Sequence, residues 1–362
     1  MSSLVLMMAG GTGGHVYPAL AVANELRERG HRVEWVGTSR GLEQRVVPAA
    51  GITLHHLAVR GVRGKGILDK IQGLIALGVA SLQALWLVLR LQPACVVGMG
   101  GYVAGPAGVA AWLLRRPLLI HEQNAIAGTT NRMLSPLAKT VVTGFPAAFN
   151  SDIETLTLGN PVREEIIAAG EEQQYDYDGS RSLHVLILGG SLGAKPLNEA
   201  VPAAVSALLQ EGANIHVWHQ TGEAHVGPVS HAYPEDAADR VRVAPFIENM
   251  AEAYQWADVV VCRAGALTVS ELAVMGRPSI LVPLPHAIDD HQTANARSLA
   301  DRGGAILMRQ ADMSVAVLTQ SLRGYINHPE RLQAMALAAR AVATPRATAD
   351  VTDRCEELFR AD

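Results

Sequence analysis

The chain has 362 residues, 49% of them hydrophobic and 18% charged, a balance that excludes a disordered protein. At about 150 residues per domain it predicts two domains. Three cysteines, Cys95, Cys262 and Cys355, lie far apart without CxxC spacing, which argues against a disulfide scaffold or zinc ribbon and fits a reducing compartment. The net charge of −4 hides an asymmetry: residues 1–150 carry fourteen Lys and Arg against six Asp and Glu, and the remainder sixteen against twenty-eight. A basic first half calls for an anionic partner such as phosphate, nucleic acid or an acidic lipid surface.

In chain order, the first apolar run, Leu4 to Ala9, has no basic segment before it and is too brief for a signal peptide, so export is not expected. Further short apolar runs follow at Arg32 to Val36, Ala94 to Val97, Leu118 to Ile120, Val141 to Thr143, Leu183 to Leu188, His216 to His219, Val259 to Cys262 and Ser279 to Val282. Many end in glycine and precede helix-period segments, the signature of βαβ units in a parallel sheet. The halves open alike: Leu4–Ala9 leads into Gly10-Gly11-Thr12-Gly13-Gly14-His15, and Leu183–Leu188 leads into Gly189-Gly190-Ser191-Leu192-Gly193-Ala194. Two similar α/β domains are therefore predicted, with the polar stretch Glu171 to Ser182 as an exposed loop near their boundary. Ligands of such sheets bind beyond the carboxyl ends of the strands, so two facing domains would enclose a cleft there.

Ile71 to Leu89 runs for 19 residues without a charge, long enough on length alone to span a membrane. Gln72, Gln83, Ser81, Gly73 and Gly78 dilute it, and its place between a turn-rich segment and a strand predicts a crossover helix instead. One face of that helix could still meet lipid. Arg63, Lys65, Lys70, Arg90, Arg115, Arg116 and Lys139 would then face anionic head groups, each worth about 1 kcal/mol close to the surface.

Glycines between a strand and a helix let backbone amides approach an oxygen-rich ligand, and the helix amino terminus favours negative charge. Three such loops occur, the third being Gly98-Met99-Gly100-Gly101-Tyr102, and together they point to a phosphate-bearing ligand. A dinucleotide fold is disfavoured, because neither opening loop gives G-x-G-x-x-G and the second strand ends at Val36-Gly37-Thr38 without a ribose-binding carboxylate. A Walker loop is excluded by spacing, and by Pro196 after Lys195 where Ser or Thr is required. His15 at the first glycine loop can accept a proton near neutral pH. His121-Glu122-Gln123-Asn124 puts four polar side chains at a strand's carboxyl end, which packing does not require, whereas His55 and His56 have no partner pattern and read as structural. In the second half, Arg263-Ala264-Gly265 opens a helix that carries Glu271 about a turn inside, where a carboxylate can hold a ribose diol or simply cap the helix. The polar loop Pro283 to Gln292 suits sugar hydroxyls; its Asp289-Asp290-His291 and the Asp176-Tyr177-Asp178 triplet imitate metal motifs, but consecutive residues rarely converge on one ion and the triplet reads as solvated loop.

Seven segments in order carry a family resemblance over almost the whole chain: residues 10–15, Arg60-Gly61 with Arg63-Gly64-Lys65-Gly66, residues 98–102, residues 121–124, Gly159-Asn160-Pro161-Val162-Arg163, residues 189–194 and residues 263–271. They are similar to the MurG family of bacterial glycosyltransferases. The resemblance implies the glycosyltransferase-B architecture: a first Rossmann-like domain over residues 1–163, a second over 164–340, parallel sheets facing across a cleft, and a last helix near 341–362 returning to the first domain. It implies inverting, metal-independent and cofactor-free transfer of N-acetylglucosamine from UDP-GlcNAc to undecaprenyl-pyrophosphoryl-MurNAc-pentapeptide (lipid I). The location implied is peripheral, on anionic lipids at the cytoplasmic face of the inner membrane.

By resemblance, Thr12, Gly13, Gly14, Asn124, Arg163, Ser191, Ile247, Ala266, Leu267, Thr268, Val269, Ser270, Glu271 and Gln292 correspond to donor-binding positions. Glu271 would take the ribose, the Ile247 backbone the uracil, Ser191 and nearby helix amino termini the diphosphate, and Gln292 with Asn124 the sugar. Arg63, Lys65, Gly100, Gly101 and Tyr102 would serve the acceptor. One departure is His291, where family members often carry the first of two glutamines. An inverting displacement needs a base on the acceptor side and a stabiliser of diphosphate charge on the other. His15 is the candidate base and Glu122 the runner-up. A UDP-sugar epimerase or a transferase that uses another acceptor, an NAD-dependent oxidoreductase, and a non-catalytic nucleotide-sugar or membrane-docking module are the alternatives. Nucleic acid is not expected as a partner, since the basic half lacks interleaved aromatics and any helix-turn-helix or RRM pattern.

Overall fold

The computed structural model describes residues 2–59, 67–150, 152–285 and 287–360. The chain divides into two compact units, one formed by Met1–Arg163 with Pro345–Asp362 and the other by Glu164–Thr344.

The first unit is built on strands β1 (Leu4–Met8), β2 (Arg32–Gly37), β3 (Thr53–His56), β4 (Cys95–Gly98), β5 (Leu118–Glu122), β6 (Thr140–Thr143) and β7 (Leu156–Thr157). They form one parallel sheet in the order β3-β2-β1-β4-β5-β6-β7. Because alternate side chains of a strand point to opposite faces, β1 serves two cores. Val5 and Met7 pack with Val16, Ala19 and Ala23 of helix Gly13–Glu28 and with Val351, Cys355 and Leu358 of helix Ala347–Arg360. Leu6 and Met8 pack with Ala80, Ala84, Leu87 and Val88 of helix Ile67–Leu91 and with Ala104, Ala107 and Ala111 of helix Ala104–Leu113. Both faces are covered, which explains why the inner strands read as continuous apolar runs.

Helix Ile67–Leu91 is the crossover from β3 to β4, and it has the length and apolar composition to cross a membrane. Its narrow alanine-rich stripe is held in the core. Leu74, Ile75, Leu82, Trp86 and Leu89 remain exposed, Leu74 by 72% and Leu82 by 70%. Neighbouring Trp112 and Leu113 at the end of helix Ala104–Leu113, and Met133 of helix Thr129–Leu134, are exposed too.

The second unit repeats the plan with β8 (Leu183–Leu188), β9 (Ile215–Gln220), β10 (Val241–Ala244), β11 (Val259–Cys262), β12 (Ser279–Leu281) and β13 (Ala305–Leu307). Its parallel sheet has the order β10-β9-β8-β11-β12-β13. Leu183, Val185 and Ile187 face a core shared with helices Lys195–Gln210 and Val315–Asn327. The 171–182 stretch is more than a solvated loop: Tyr177 is buried, Asp176 pairs with Arg181 at 3.1 Å, and Arg181 grips Asp258 at 2.6 Å.

Candidate functional site

In the first unit the polar residues gather where β1, β4 and β5 end. After β1 the backbone turns through Gly11 (φ 95°) to Thr12, which caps helix Gly13–Glu28 in an extended conformation. The first amides of a helix have no partner within it, so Gly13 and Gly14 present donors at the positive end of the dipole. Thr12 and Gly14 are exposed and His15 is half-buried.

The glycine loop is anchored by a residue the sequence reading did not single out. Glu43 is fully buried and accepts from the Gly11 amide at 2.9 Å, the Thr38 amide at 2.9 Å and the Thr38 hydroxyl at 2.8 Å. A Cβ at Gly10 or Gly37 would stand 2.7 or 2.6 Å from its side chain, so these glycines make room for that carboxylate. An acidic residue just beyond a glycine-flanked strand end is the signal that could have found it.

The third glycine loop leans on the first. A Cβ at Gly100 (φ 99°) would stand 2.7 Å from His15 Nδ1, and one at Gly101 (φ 87°) 2.5 Å from the Gly10 carbonyl. Both positions need glycine twice over, for conformation and for space. Tyr102 follows, half exposed. Arg63 and Lys65 lie outside the described residues.

From β5, His121 is completely buried and its Nε2 lies 2.9 Å from the Gly159 carbonyl; burial pushes its pKa down to about 4, so it is neutral at physiological pH. Gln123 links it to the glycine loop, with Nε2 at 3.1 Å from His121 Nδ1 and Oε1 at 2.9 Å from His15 Nδ1. Glu122, 1% exposed, accepts four hydrogen bonds: from the Asn124 amide at 2.9 Å, Asn124 Nδ2 at 3.1 Å, the Gly128 amide at 3.0 Å and Asn131 Nδ2 at 2.8 Å. A carboxylate offers about four lone-pair sites, so these are spent. Glu122, the runner-up base of the sequence reading, organises the loop that carries Gln123 and Asn124. Asn131 had no sequence signal, since it acts through a contact only the fold creates. Arg163 stacks its guanidinium on the Tyr17 ring at 5.6 Å.

The second unit has its own cluster at the ends of β8, β9 and β11. Gly190 and Gly193 close a turn (Gly193 amide to Gly190 carbonyl, 3.0 Å) that leaves Ser191 exposed ahead of helix Lys195–Gln210. Gln220, at the end of β9, donates to the Gly190 carbonyl at 3.0 Å and accepts from the Ile247 amide at 2.9 Å. It thus ties the glycine loop to the position expected to read the base, and the Ile247 amide is engaged. A polar residue ending an apolar strand was the signal for it, the same one that marked residues 121–124.

Gly265, extended, caps helix Ala266–Met275. The Ala266, Val269 and Ser270 side chains are buried and Leu267 and Thr268 half-buried, so what this turn offers a ligand is mainly its amides. Glu271 is 7% exposed and accepts from the Tyr254 hydroxyl at 2.9 Å, which orients the carboxylate. Arg263 holds the Val282 and Pro283 carbonyls and Gln310, bracing the following loop. Gln292 accepts from the Leu284 amide at 2.9 Å. Asp289 and Asp290 both adopt left-handed backbone, uncommon for residues other than glycine. Burial pushes the Cys262 thiol up to about 12, which makes it inert as a nucleophile. Among the described residues no group of three His, Cys, Asp or Glu is placed to hold a metal ion.

Two parallel sheets of one strand order, each with a glycine loop and a helix amino terminus at its carboxyl ends, are two Rossmann-like units, the architecture of glycosyltransferase-B proteins. Residues 5–143 match the glycosyltransferase family 28 N-terminal domain and residues 184–351 its C-terminal domain. The chain belongs to glycosyltransferase family 28, in its MurG branch. It is 51% identical over 358 residues to the UDP-N-acetylglucosamine--N-acetylmuramyl-(pentapeptide) pyrophosphoryl-undecaprenol N-acetylglucosamine transferase of Stutzerimonas stutzeri, covering 99% of each chain. The same-named protein of Ectopseudomonas mendocina is 51% identical over 360 residues, covering 99% of this chain and 100% of that one. The crystal structure of Acinetobacter baumannii MurG matches with a TM-score of 0.82 and 42% identity, covering 98% of this chain and 99% of that chain.

Proposed function

We propose that the chain transfers N-acetylglucosamine from UDP-GlcNAc to the muramyl 4-hydroxyl of lipid I, giving lipid II and UDP. The observation that carries this is end-to-end identity of about half with curated transferases of that name. In the reading supported by the strand-end geometry, the second unit takes the nucleotide. Glu271, oriented by Tyr254, accepts from the ribose diol, while Ser191 and the amides at the start of helix Ala266–Met275 stabilise charge on the departing diphosphate. The first unit supplies the base: His15 removes the acceptor proton as the oxygen attacks the anomeric carbon with inversion. Gly100, Gly101 and Tyr102, next to His15, serve the acceptor, with Arg63 and Lys65 assigned to its pyrophosphate by resemblance. The deciding experiment measures UDP release from UDP-GlcNAc with and without a lipid I analogue, in the presence of chelator. Release that depends on acceptor and survives chelation is expected; acceptor-independent consumption would overturn the assignment.

The same reading places the protein peripherally on the cytoplasmic face of the inner membrane. The uncovered apolar side chains of helix Ile67–Leu91 and its neighbours support it, with Arg90, Arg115 and Lys139 as exposed cations in the same unit. Co-sedimentation with anionic but not neutral vesicles is the expected result.

A further inference from the structure

The three contacts running from β5 to the first glycine loop form a chain whose proton positions follow from its ends. A backbone carbonyl can only accept, so His121, 2.9 Å from the Gly159 carbonyl, carries its proton on Nε2 and leaves Nδ1 as a lone pair. The Gln123 amide is oriented independently: its Nε2 lies 3.2 Å from the His121 carbonyl, which again can only accept, and 3.1 Å from the His121 Nδ1 lone pair. Gln123 Oε1 must then be the atom facing His15 Nδ1 at 2.9 Å, and an amide oxygen only accepts. We propose that Gln123, held by His121, locks His15 in the Nδ1–H tautomer and so presents Nε2 as the proton acceptor.

Geometry and chemistry agree along the chain. Complete burial of His121 keeps it neutral, as an acceptor at Nδ1 must be. Gly100 gives the Nδ1 edge of His15 the space to face Gln123, since a Cβ there would meet Nδ1 and Cε1 at 2.7 and 2.8 Å. A free imidazole prefers its proton on Nε2, the wrong nitrogen for this task, so the tautomer has to be imposed by what the other nitrogen meets. An uncharged amide does this without placing an anion beside the ring. Gln123 and His121 are therefore positioning residues acting through His15, and their share in turnover rests on His15 being the base.

Two-bond proton–nitrogen correlation spectra of the full-length protein labelled with nitrogen-15 histidine read the tautomer directly, with His15 assigned by the loss of its signals in His15→Asn. Wild-type His15 is expected to show a protonated Nδ1 and a bare Nε2. In Gln123→Leu the proton moves to Nε2 and kcat falls about ten- to hundredfold, with KM for UDP-GlcNAc within about twofold. Gln123→Glu keeps an acceptor toward His15 but loses the donor to His121, and is expected to keep the proton on His15 Nδ1. A wild-type His15 protonated on Nε2 would overturn the inference, as would a Gln123→Leu protein with unchanged tautomer. A shifted tautomer with unchanged kcat would overturn its part in catalysis. Near-normal kcat in His15→Ala would remove His15 as the base while leaving the spectroscopic assignment standing, so the two failures are separable.

Discussion

The two units share a sheet order outward from their first strands, β3-β2-β1-β4-β5-β6 in one and β10-β9-β8-β11-β12-β13 in the other, yet they equip the same strand ends differently. The first places titratable groups there: His15 beside Gln123 and His121, with Glu43 and Glu122 buried beneath the loops. The second places amides and helix starts, with Gln220 across the glycine loop and a single oriented carboxylate at Glu271. One scaffold thus carries two sets of strand-end groups, and the proposed split between a proton-handling half and an anion-holding half lives in the loops and not in the sheet.

That division can be broken experimentally. His15→Ala is expected to lower kcat by about 10²–10⁴-fold while moving the donor KM only a few-fold; steady-state kinetics with near-normal turnover would end the assignment. Glu43→Ala strands three donors around a fully buried position and is expected to cost about 3 kcal/mol, seen in urea unfolding and in faster exchange of the Gly11 and Thr38 amides. Acid should weaken both halves together. His121 and His219 have folded pKa values near 4 and near 3, both lowered by burial, whereas an unfolded histidine titrates near 6.5. Their contribution is complete above about pH 6.5 and is lost as pH falls toward 4, on the order of 2 kcal/mol from each by pH 5. Denaturant midpoints at pH 7 and pH 5 test this, and equal stability would refute it.

Glu271→Gln should reverse the pattern of His15→Ala, raising the KM for UDP-GlcNAc about tenfold with a smaller change in kcat. The smallest expected effect is at the surface: Leu74→Asp with Leu82→Asp should weaken binding to anionic vesicles several-fold and leave turnover of a water-soluble acceptor unchanged.

The sequence reading located every interior strand of both sheets and missed four: β3, β7, β10 and β13. Those four are the edges. Interior strands are covered on both faces and need unbroken apolar runs, whereas Thr53–His56 and Val241–Ala244 are largely exposed or half-buried, and Leu156–Thr157 is only two residues long. His55 found its place through such an edge, pairing with Glu34 of β2 at 2.6 Å. At the site, residues carried by a local motif were legible: the glycine loops, His15, His121 to Asn124 and Glu271. Glu43, Asn131 and Gln220 were not singled out: Glu43 and Gln220 act on loops about 30 residues away that only the folded sheet brings to them, and Asn131 reaches Glu122 across the turn that follows β5. Glu122 shows what a motif leaves out. Its type and position suggested chemistry, but its lone pairs are consumed by the scaffold.

Helix Ala347–Arg360 packs on helix Gly13–Glu28, burying Val351, Cys355 and Leu358 and pairing Asp353 with Arg29 at 2.6 Å and Glu356 with His31 at 3.0 Å. On the ribosome the half begun first is therefore finished last: its sheet emerges early but waits for some 180 intervening residues of the other half before its closing helix is made. During that interval Val5, Met7 and helix Gly13–Glu28 lack the apolar partners Val351, Cys355 and Leu358.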